Sequence, residues 1–219
     1  MGAGLRDGVT FYIECSMITI IDYGMGNLFS IRGALEYLGA DCEVVSDPGR
    51  IFKAEKIILP GVGSFCKAMD IIVERDIDKA LREAVLSRKI PLLGICLGMQ
   101  ILATEGAEGG PRAGLNFINA TVHKIEPAIS TCKIPHIGFN EVSIINGTRM
   151  FQGIREGADF YFIHSYRMIC DDDCTVAATT EYGIKFVSAV EKDNIWGCQF
   201  HPEKSQKNGL RLLRNFIEL

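Results

Sequence analysis

Residues 91–100 read Pro91-Leu92-Leu93-Gly94-Ile95-Cys96-Leu97-Gly98-Met99-Gln100. The first half is a short apolar run of the kind that makes a strand buried on both faces. Gly94-Ile95-Cys96-Leu97-Gly98 then turns the chain into a helical run that reaches about Thr104. A buried strand passing through Gly-x-Cys-x-Gly into a helix has the geometry of a nucleophile elbow. A strained turn lifts the nucleophile clear of the sheet, and the flanking glycines avoid backbone clashes. The helix N-terminus favours the thiolate of Cys96. The N–H of the next residue, Leu97, can face a developing oxyanion. The bland alternative is a buried packing thiol. The position between a strand and a helix favours the nucleophile.

Working outward, the same pattern repeats. Met17-Ile18-Thr19-Ile20-Ile21-Asp22 predicts a buried strand ending in the turn Tyr23-Gly24-Met25-Gly26-Asn27. Leu28, Ile31, Leu35 and Leu38 recur at helical spacing, and Gly39 closes that helix. Cys42 to Ser46 predicts a second strand, and Lys56 to Leu59 a third that Pro60-Gly61-Val62-Gly63 stops. Ile77, Leu81, Val85 and Leu86 mark another helix. Apolar strands alternating with helices predict a parallel sheet covered on both faces. The second half is mostly strand-like, over 117–125, 134–145, 160–166, 175–180, 185–191 and 195–200. It closes with a helix marked by Leu210, Leu213, Phe216 and Ile217. This predicts an antiparallel or mixed extension of the first sheet. The stretch 103–114 reads as a surface loop.

The 219 residues suit one large domain, 17–219, behind an extension of sixteen residues. That extension reads as a flexible arm, with Met17 a good initiator, or else Val9 to Ile13 adds an edge strand. At 47% hydrophobic residues the chain is not a disordered one, and a net charge of −4 argues against a basic nucleic-acid binder. No apolar run is long enough to span a bilayer. Eight cysteines in a chain with no recognisable signal peptide imply free thiols in a reducing, cytoplasmic compartment rather than a disulfide framework. Neither a dinucleotide fingerprint nor a phosphate-binding loop appears; Gly24-Met25-Gly26 is only a fragment of the former. Cys170 and Cys174 flank three aspartates, which reads as a solvated acidic turn rather than a metal site. No metal and no cofactor are expected.

A thiol nucleophile needs a proton-transfer partner. Of four histidines, His201 stands out in Phe200-His201-Pro202-Glu203-Lys204, just after a predicted strand. Glu203 is spaced to accept from the imidazole and fix its tautomer. Alone, this segment would read as a solvated surface turn; beside Cys96 it completes a plausible triad. His123 and His136 lie in strand-like runs and read as structural, while His164 ends a strand near the same sheet edge. Pro60-Gly61-Val62-Gly63 sits at the C-terminal end of a strand, where open α/β sheets keep ligands, and offers a second oxyanion donor.

With these residues assembled, the chain resembles the class I glutamine amidotransferases, and among them the glutaminase subunits that serve imidazole glycerol phosphate synthesis. The resemblance spans 17–219. It is carried by Ile21-Asp22-Tyr23-Gly24-Met25-Gly26-Asn27, Leu59-Pro60-Gly61-Val62-Gly63, the elbow, Pro135-His136-Ile137-Gly138-Phe139-Asn140, His164-Ser165-Tyr166 and Gln199-Phe200-His201-Pro202-Glu203-Lys204-Ser205. It implies a three-layer, flavodoxin-like fold with a mostly parallel central sheet and an antiparallel extension. It also implies that Cys96 attacks the side-chain amide of glutamine, with His201 moving the proton and Glu203 orienting it. Val62 and Leu97 N–H groups would hold the oxyanion, and Gly63, Gln100 and Ser165 would bind glutamine. Ammonia would pass to a (β/α)₈ cyclase partner in a heterodimer, across a surface including Phe139 and Lys204. The resemblance further implies a resting state in which an oxyanion N–H points away, making Pro60 to Gly63 a candidate switch.

Two departures leave a second reading open. The family usually carries Trp where this chain has Phe139, and a family loop is replaced by Thr104-Glu105-Gly106-Ala107-Glu108-Gly109-Gly110. These features also resemble a paralogous group that supplies ammonia for amidination of surface sugars, lipopolysaccharide or flagellar. Outside the family, the competing classes are another cysteine hydrolase on the same sheet and a catalytically dead binding subunit.

Overall fold

The structure is a computed structural model that describes residues 17–128, 132–145 and 147–219. The expectations for residues 1–16, an arm or an edge strand, lie outside the described residues.

Among the described residues, thirteen strands and six α-helices follow the chain. The first half runs β1 (Ile18–Ile21), α1 (Leu28–Tyr37), β2 (Cys42–Val45), α2 (Pro48–Ile51), β3 (Lys56–Gly61), α3 (Phe65–Glu74), α4 (Ile77–Arg82), β4 (Leu92–Cys96) and α5 (Leu97–Gln100). The second runs β5 (Glu105–Gly106), β6 (Arg112–Ala113), β7 (Ala120–Lys124), β8 (His136–Ile144), β9 (Ala158–His164), β10 (Tyr166–Cys170), β11 (Val176–Glu181), β12 (Lys185–Lys192), β13 (Ile195–Cys198) and α6 (Gln206–Ile217).

The main sheet has nine strands in the order β2-β1-β3-β4-β13-β12-β11-β8-β9. From β2 to β13 the pairings are parallel, and from β13 outward they are antiparallel. The parallel part has the flavodoxin-like 2-1-3-4-5 order, which keeps ligands at the C-terminal strand ends. β1, β3, β4 and β13 are buried along their whole length, as their apolar runs require. Side chains alternate between two cores. Ile57, Leu59 and Leu92 join Phe65, Met69, Ile72 and Ile77 of α3 and α4 on one face. Ile18, Ile20, Ile58, Leu93 and Ile95 join Ile31 and Leu35 of α1 and Leu212, Leu213 and Phe216 of α6 on the other. The expected three-layer α/β architecture is therefore present, with the expected antiparallel extension.

Four details differ from the sequence expectations. β3 does not stop at Pro60, because Pro60 pairs with Ile95 and Gly61 with Cys96. Ile57 donates to Pro91 on the β4 side, so by alternation the nitrogen of Pro60 faces β1, whose pairing ends at Ile58. The proline therefore removes no ladder bond. The stretch 103–114 is not simply a surface loop. Ala103 is fully buried, and β5 and β6 join a separate four-stranded sheet, β10-β7-β5-β6. The run after Phe160 is two strands, with Ser165 the single residue at which the chain leaves the main sheet for the smaller one. Finally, α3 was not anticipated, although Phe65, Ala68, Met69 and Ile72 carry a helical spacing and all four are buried.

Candidate active site

The elbow is built from constraint. Cys96 sits at φ 55° and ψ −111°, a backbone conformation that a residue with a side chain adopts only under strain. Its glycines are forced by contact: a Cβ on Gly98 would lie 1.8 Å from the Leu59 carbonyl oxygen, and one on Gly94 2.8 Å from that of Gly98. The strand is thus pressed against the following helix, and Leu97, opening α5, has an N–H with no carbonyl inside the helix to accept it.

His201 follows β13, the parallel neighbour of β4, so topology alone brings it beside the elbow. Its Nδ1 lies 2.9 Å from Glu203 Oε1, and the two side chains are 3% and 1% exposed. Burial by itself would lower the imidazole pKa, but the Cys96 thiol and the Glu203 carboxylate raise it to about 10. Charged neighbours thus outweigh desolvation, and the imidazole is held as the proton carrier of the trio. His201 Nε2 and Glu203 Oε2 are buried without a hydrogen-bond partner. Tyr23 is another orphan: its hydroxyl is buried and unpaired, and burial together with the charge of Cys96 pushes its pKa up.

A cavity of about 310 Å³ opens over the thiol. Val62, Gly63, Cys96, Leu97, Gln100 and Ser165 all line it, so every residue expected for oxyanion or substrate binding is brought to one place. His201 and Glu203 do not line it. The Val62 N–H is turned from the cavity and donates to the Met25 carbonyl at 3.3 Å. Gly63, at φ 103°, makes the turn that follows. Both Nε2 hydrogens of Gln100 are used, to the Tyr166 carbonyl at 3.0 Å and Gln199 Oε1 at 2.9 Å, which leaves its Oε1 as the acceptor at the cavity.

Sequence reasoning missed Glu108 and Gln199. Glu108 lines the cavity and accepts from the Phe65 N–H at 3.0 Å; it belonged to a stretch read as loop. Gln199 is fully buried and donates to Cys96 Sγ at 3.7 Å. His164 lines the cavity and is bonded to His136 (3.0 Å between ring nitrogens), which fits the structural reading of His136. His123 is exposed on β7, bonded to Thr121. Phe139 and Lys204 lie apart from the cavity but share a neighbour, Tyr161, against whose ring both pack. Burial raises the thiol pKa of Cys42, Cys170 and Cys198, which keeps them from competing as nucleophiles. Among the described residues no group of His, Cys, Asp or Glu could hold a metal ion, and no helix is long and apolar enough to cross a membrane.

A profile of the family described as "Glutamine amidotransferase class-I" matches residues 19–219. The chain belongs to the class I glutamine amidotransferases. Within that family it is 46% identical over 202 residues to a protein named imidazole glycerol phosphate synthase subunit HisH from Moorella thermoacetica, covering 92% of this chain and 94% of the relative. It is 48% identical over 203 residues to the subunit named HisH 1 from Campylobacter jejuni strain RM1221, covering 93% and 100%. The fold is shared with a putative GMP synthase subunit from Thermoplasma acidophilum, at TM-score 0.71, 24% identity and 93% coverage of both chains. PurLQS from Thermotoga maritima superposes at TM-score 0.68 and 18% identity, with 93% of this amidotransferase chain and 98% of the other covered. The elbow, the cavity and the buried His–Glu pair are therefore features of an amidotransferase domain.

Proposed function

We propose that the chain is the glutaminase subunit of an imidazole glycerol phosphate synthase, hydrolysing glutamine and passing the ammonia to a (β/α)₈ cyclase partner. The carrying observation is the strained Cys96 thiol, backed by His201 and Glu203, at the floor of a cavity of amino-acid size. The near full-length similarity to subunits of that name supports the pathway.

In this reading Cys96 Sγ attacks the side-chain amide carbon of glutamine, and its proton resides on His201. Glu203 holds the imidazole by Nδ1, so Nε2 is the nitrogen that exchanges protons. Leu97 N–H supplies one oxyanion donor. Val62 N–H supplies the second only after it leaves the Met25 carbonyl, which supports Pro60 to Gly63 as the switch between idle and active states. His201 then protonates the departing amine, ammonia leaves, and water attacks the glutamyl thioester with His201 as base. Gln100 Oε1 and the Glu108 carboxylate are acceptors suited to the α-ammonium of glutamine, while Gly63 and Ser165 flank the remaining wall.

Complementation tests the pathway. The gene should restore growth of a histidine auxotroph lacking this subunit, when supplied with its own cyclase. Growth restored by no cyclase, with ammonia delivered instead to a sugar-amidating partner, would favour the paralogous reading that Phe139 raised.

A further inference from the structure

We propose that Gln199 is a further catalytic residue: its side-chain amide donates to Cys96 Sγ and holds the sulfur as an aligned thiolate. The inference rests on the reading of Cys96 as the nucleophile.

The direction of that amide is imposed from outside the triad. His164 Nδ1 lies 2.8 Å from the Tyr166 carbonyl, an acceptor, so Nδ1 carries the proton and Nε2 is the acceptor. His136 Nδ1 therefore donates to His164 Nε2, at 3.0 Å. The same Tyr166 carbonyl accepts from Gln100 Nε2, which fixes which end of the Gln100 amide faces inward. The second Nε2 hydrogen of Gln100 then demands an acceptor, and Gln199 Oε1 is that acceptor at 2.9 Å. With its oxygen so engaged, Gln199 must turn its NH₂ toward Cys96 Sγ, 3.7 Å away. A flip at Gln199 would set two donors against each other at Gln100 and leave a fully buried carbonyl beside the sulfur. The Tyr166 carbonyl thus orients Gln100, and Gln100 in turn orients Gln199 toward the thiol.

What this does chemically follows from the neighbours of the sulfur. Besides His201, which interacts with Cys96, the Ile163 carbonyl lies 3.9 Å from the sulfur; it accepts from a thiol but repels a thiolate. The titratable groups around Cys96 are His201 and Cys198 from the β13 segment and Tyr23 after β1. Of the uncharged polar side chains, Gln199 is the one placed to stabilise negative charge on sulfur, because a hydrogen bond to the charged form favours that form. It does not line the cavity, so its direct contact is with the nucleophile, and it reaches the glutamine site only through Gln100.

The test is the pH dependence of Cys96 alkylation by iodoacetamide, read on the Cys96 peptide by mass spectrometry, in the wild-type chain and in Gln199→Met and Gln199→Glu. Gln199→Met removes the donor at similar volume. Its alkylation midpoint should rise by about one pH unit, and its kcat for glutamine in the partner complex should fall about 10-fold or more. Gln199→Glu, which sets a carboxylate beside the sulfur, should raise the midpoint further. An unchanged midpoint in a folded Gln199→Met overturns the proposal, since a merely structural role would lower Tm without moving the thiol. Should the variants not fold, the wild-type side-chain amide resonance of Gln199 decides: it must titrate with the Cys96 midpoint, and a flat profile overturns the proposal. A shifted midpoint in a chain that hydrolyses no glutamine even with its partner would support the role of Gln199 and overturn the glutaminase reading instead.

Discussion

At the residue scale, the site depends on how little room the elbow leaves. Gly98→Ala would drive a Cβ to 1.8 Å from the Leu59 carbonyl oxygen, a backbone atom at the centre of the sheet. Neither strand nor helix can yield, so we expect a loss of about 3 kcal/mol or more and a fall in Tm on the order of 10 °C, measured by thermal denaturation. His201→Ala leaves the fold intact but removes the proton carrier. Glutamine-dependent turnover should fall by about 10²–10⁴, while turnover of the complex with added ammonium is retained. Loss of both activities would contradict a separate ammonia-using partner. Cys96 and His201 were legible in the sequence because each follows an apolar strand at a short, patterned spacing. Gln199 was not legible, because an amide at the end of a strand acquires meaning only from its bonds to Gln100 and Cys96, which lie 99 and 103 residues away.

At the scale of elements, the main sheet was legible because its inner strands are buried on both faces and show it as unbroken apolar runs. The smaller sheet was not. β5 and β6 have two residues each, too few for any period, and β9 and β10 form one continuous strand-like run that changes sheet at Ser165. That crossing is where His136 and His164 are buried side by side. His136 is stacked on Tyr182 and Phe162, with ring centroids 3.9 and 4.8 Å away. Burial lowers their pKa values, to about 4 for His136 and about 3 for His164, against an ordinary 6.5. The sign follows from linkage. Below pH 6.5 the unfolded chain takes up protons that the folded chain refuses, so stability is full above 6.5 and falls as pH drops toward 4 and 3. Each histidine contributes a slope on the order of 1 kcal/mol per pH unit over that window. His136→Phe should keep the stack and flatten the acid limb of a Tm-versus-pH curve; an unaltered slope would remove His136 from the account.

At the scale of the whole molecule, the antiparallel extension does more than complete the sheet. β8 and β9 pair Ile137 with Ile163 and Phe139 with Tyr161, so these four side chains share one face. Ile137 is 55% exposed, Phe139 51% and Ile163 39%; Ile163 also lines the cavity, as does Val62, which is 43% exposed. An exposed apolar face that runs up to the wall of a site is what a partner would cover. In the proposed reading the cyclase would seat on this face, which reaches the same cavity that the segment of Val62, bonded to Met25 by its N–H, lines. Lys204, over the Tyr161 ring at 5.7 Å, brings a positive charge to the same face. Ile163→Glu should therefore weaken the heterodimer by at least about 10-fold in Kd, the cost of burying an unpaired charge among apolar side chains. Lys204→Ala at the rim should lower partner stimulation of glutamine hydrolysis more than the affinity itself. Titration calorimetry and stimulated turnover, measured on the same two variants, separate the effects. Unchanged affinity in Ile163→Glu would move the docking surface elsewhere on the molecule.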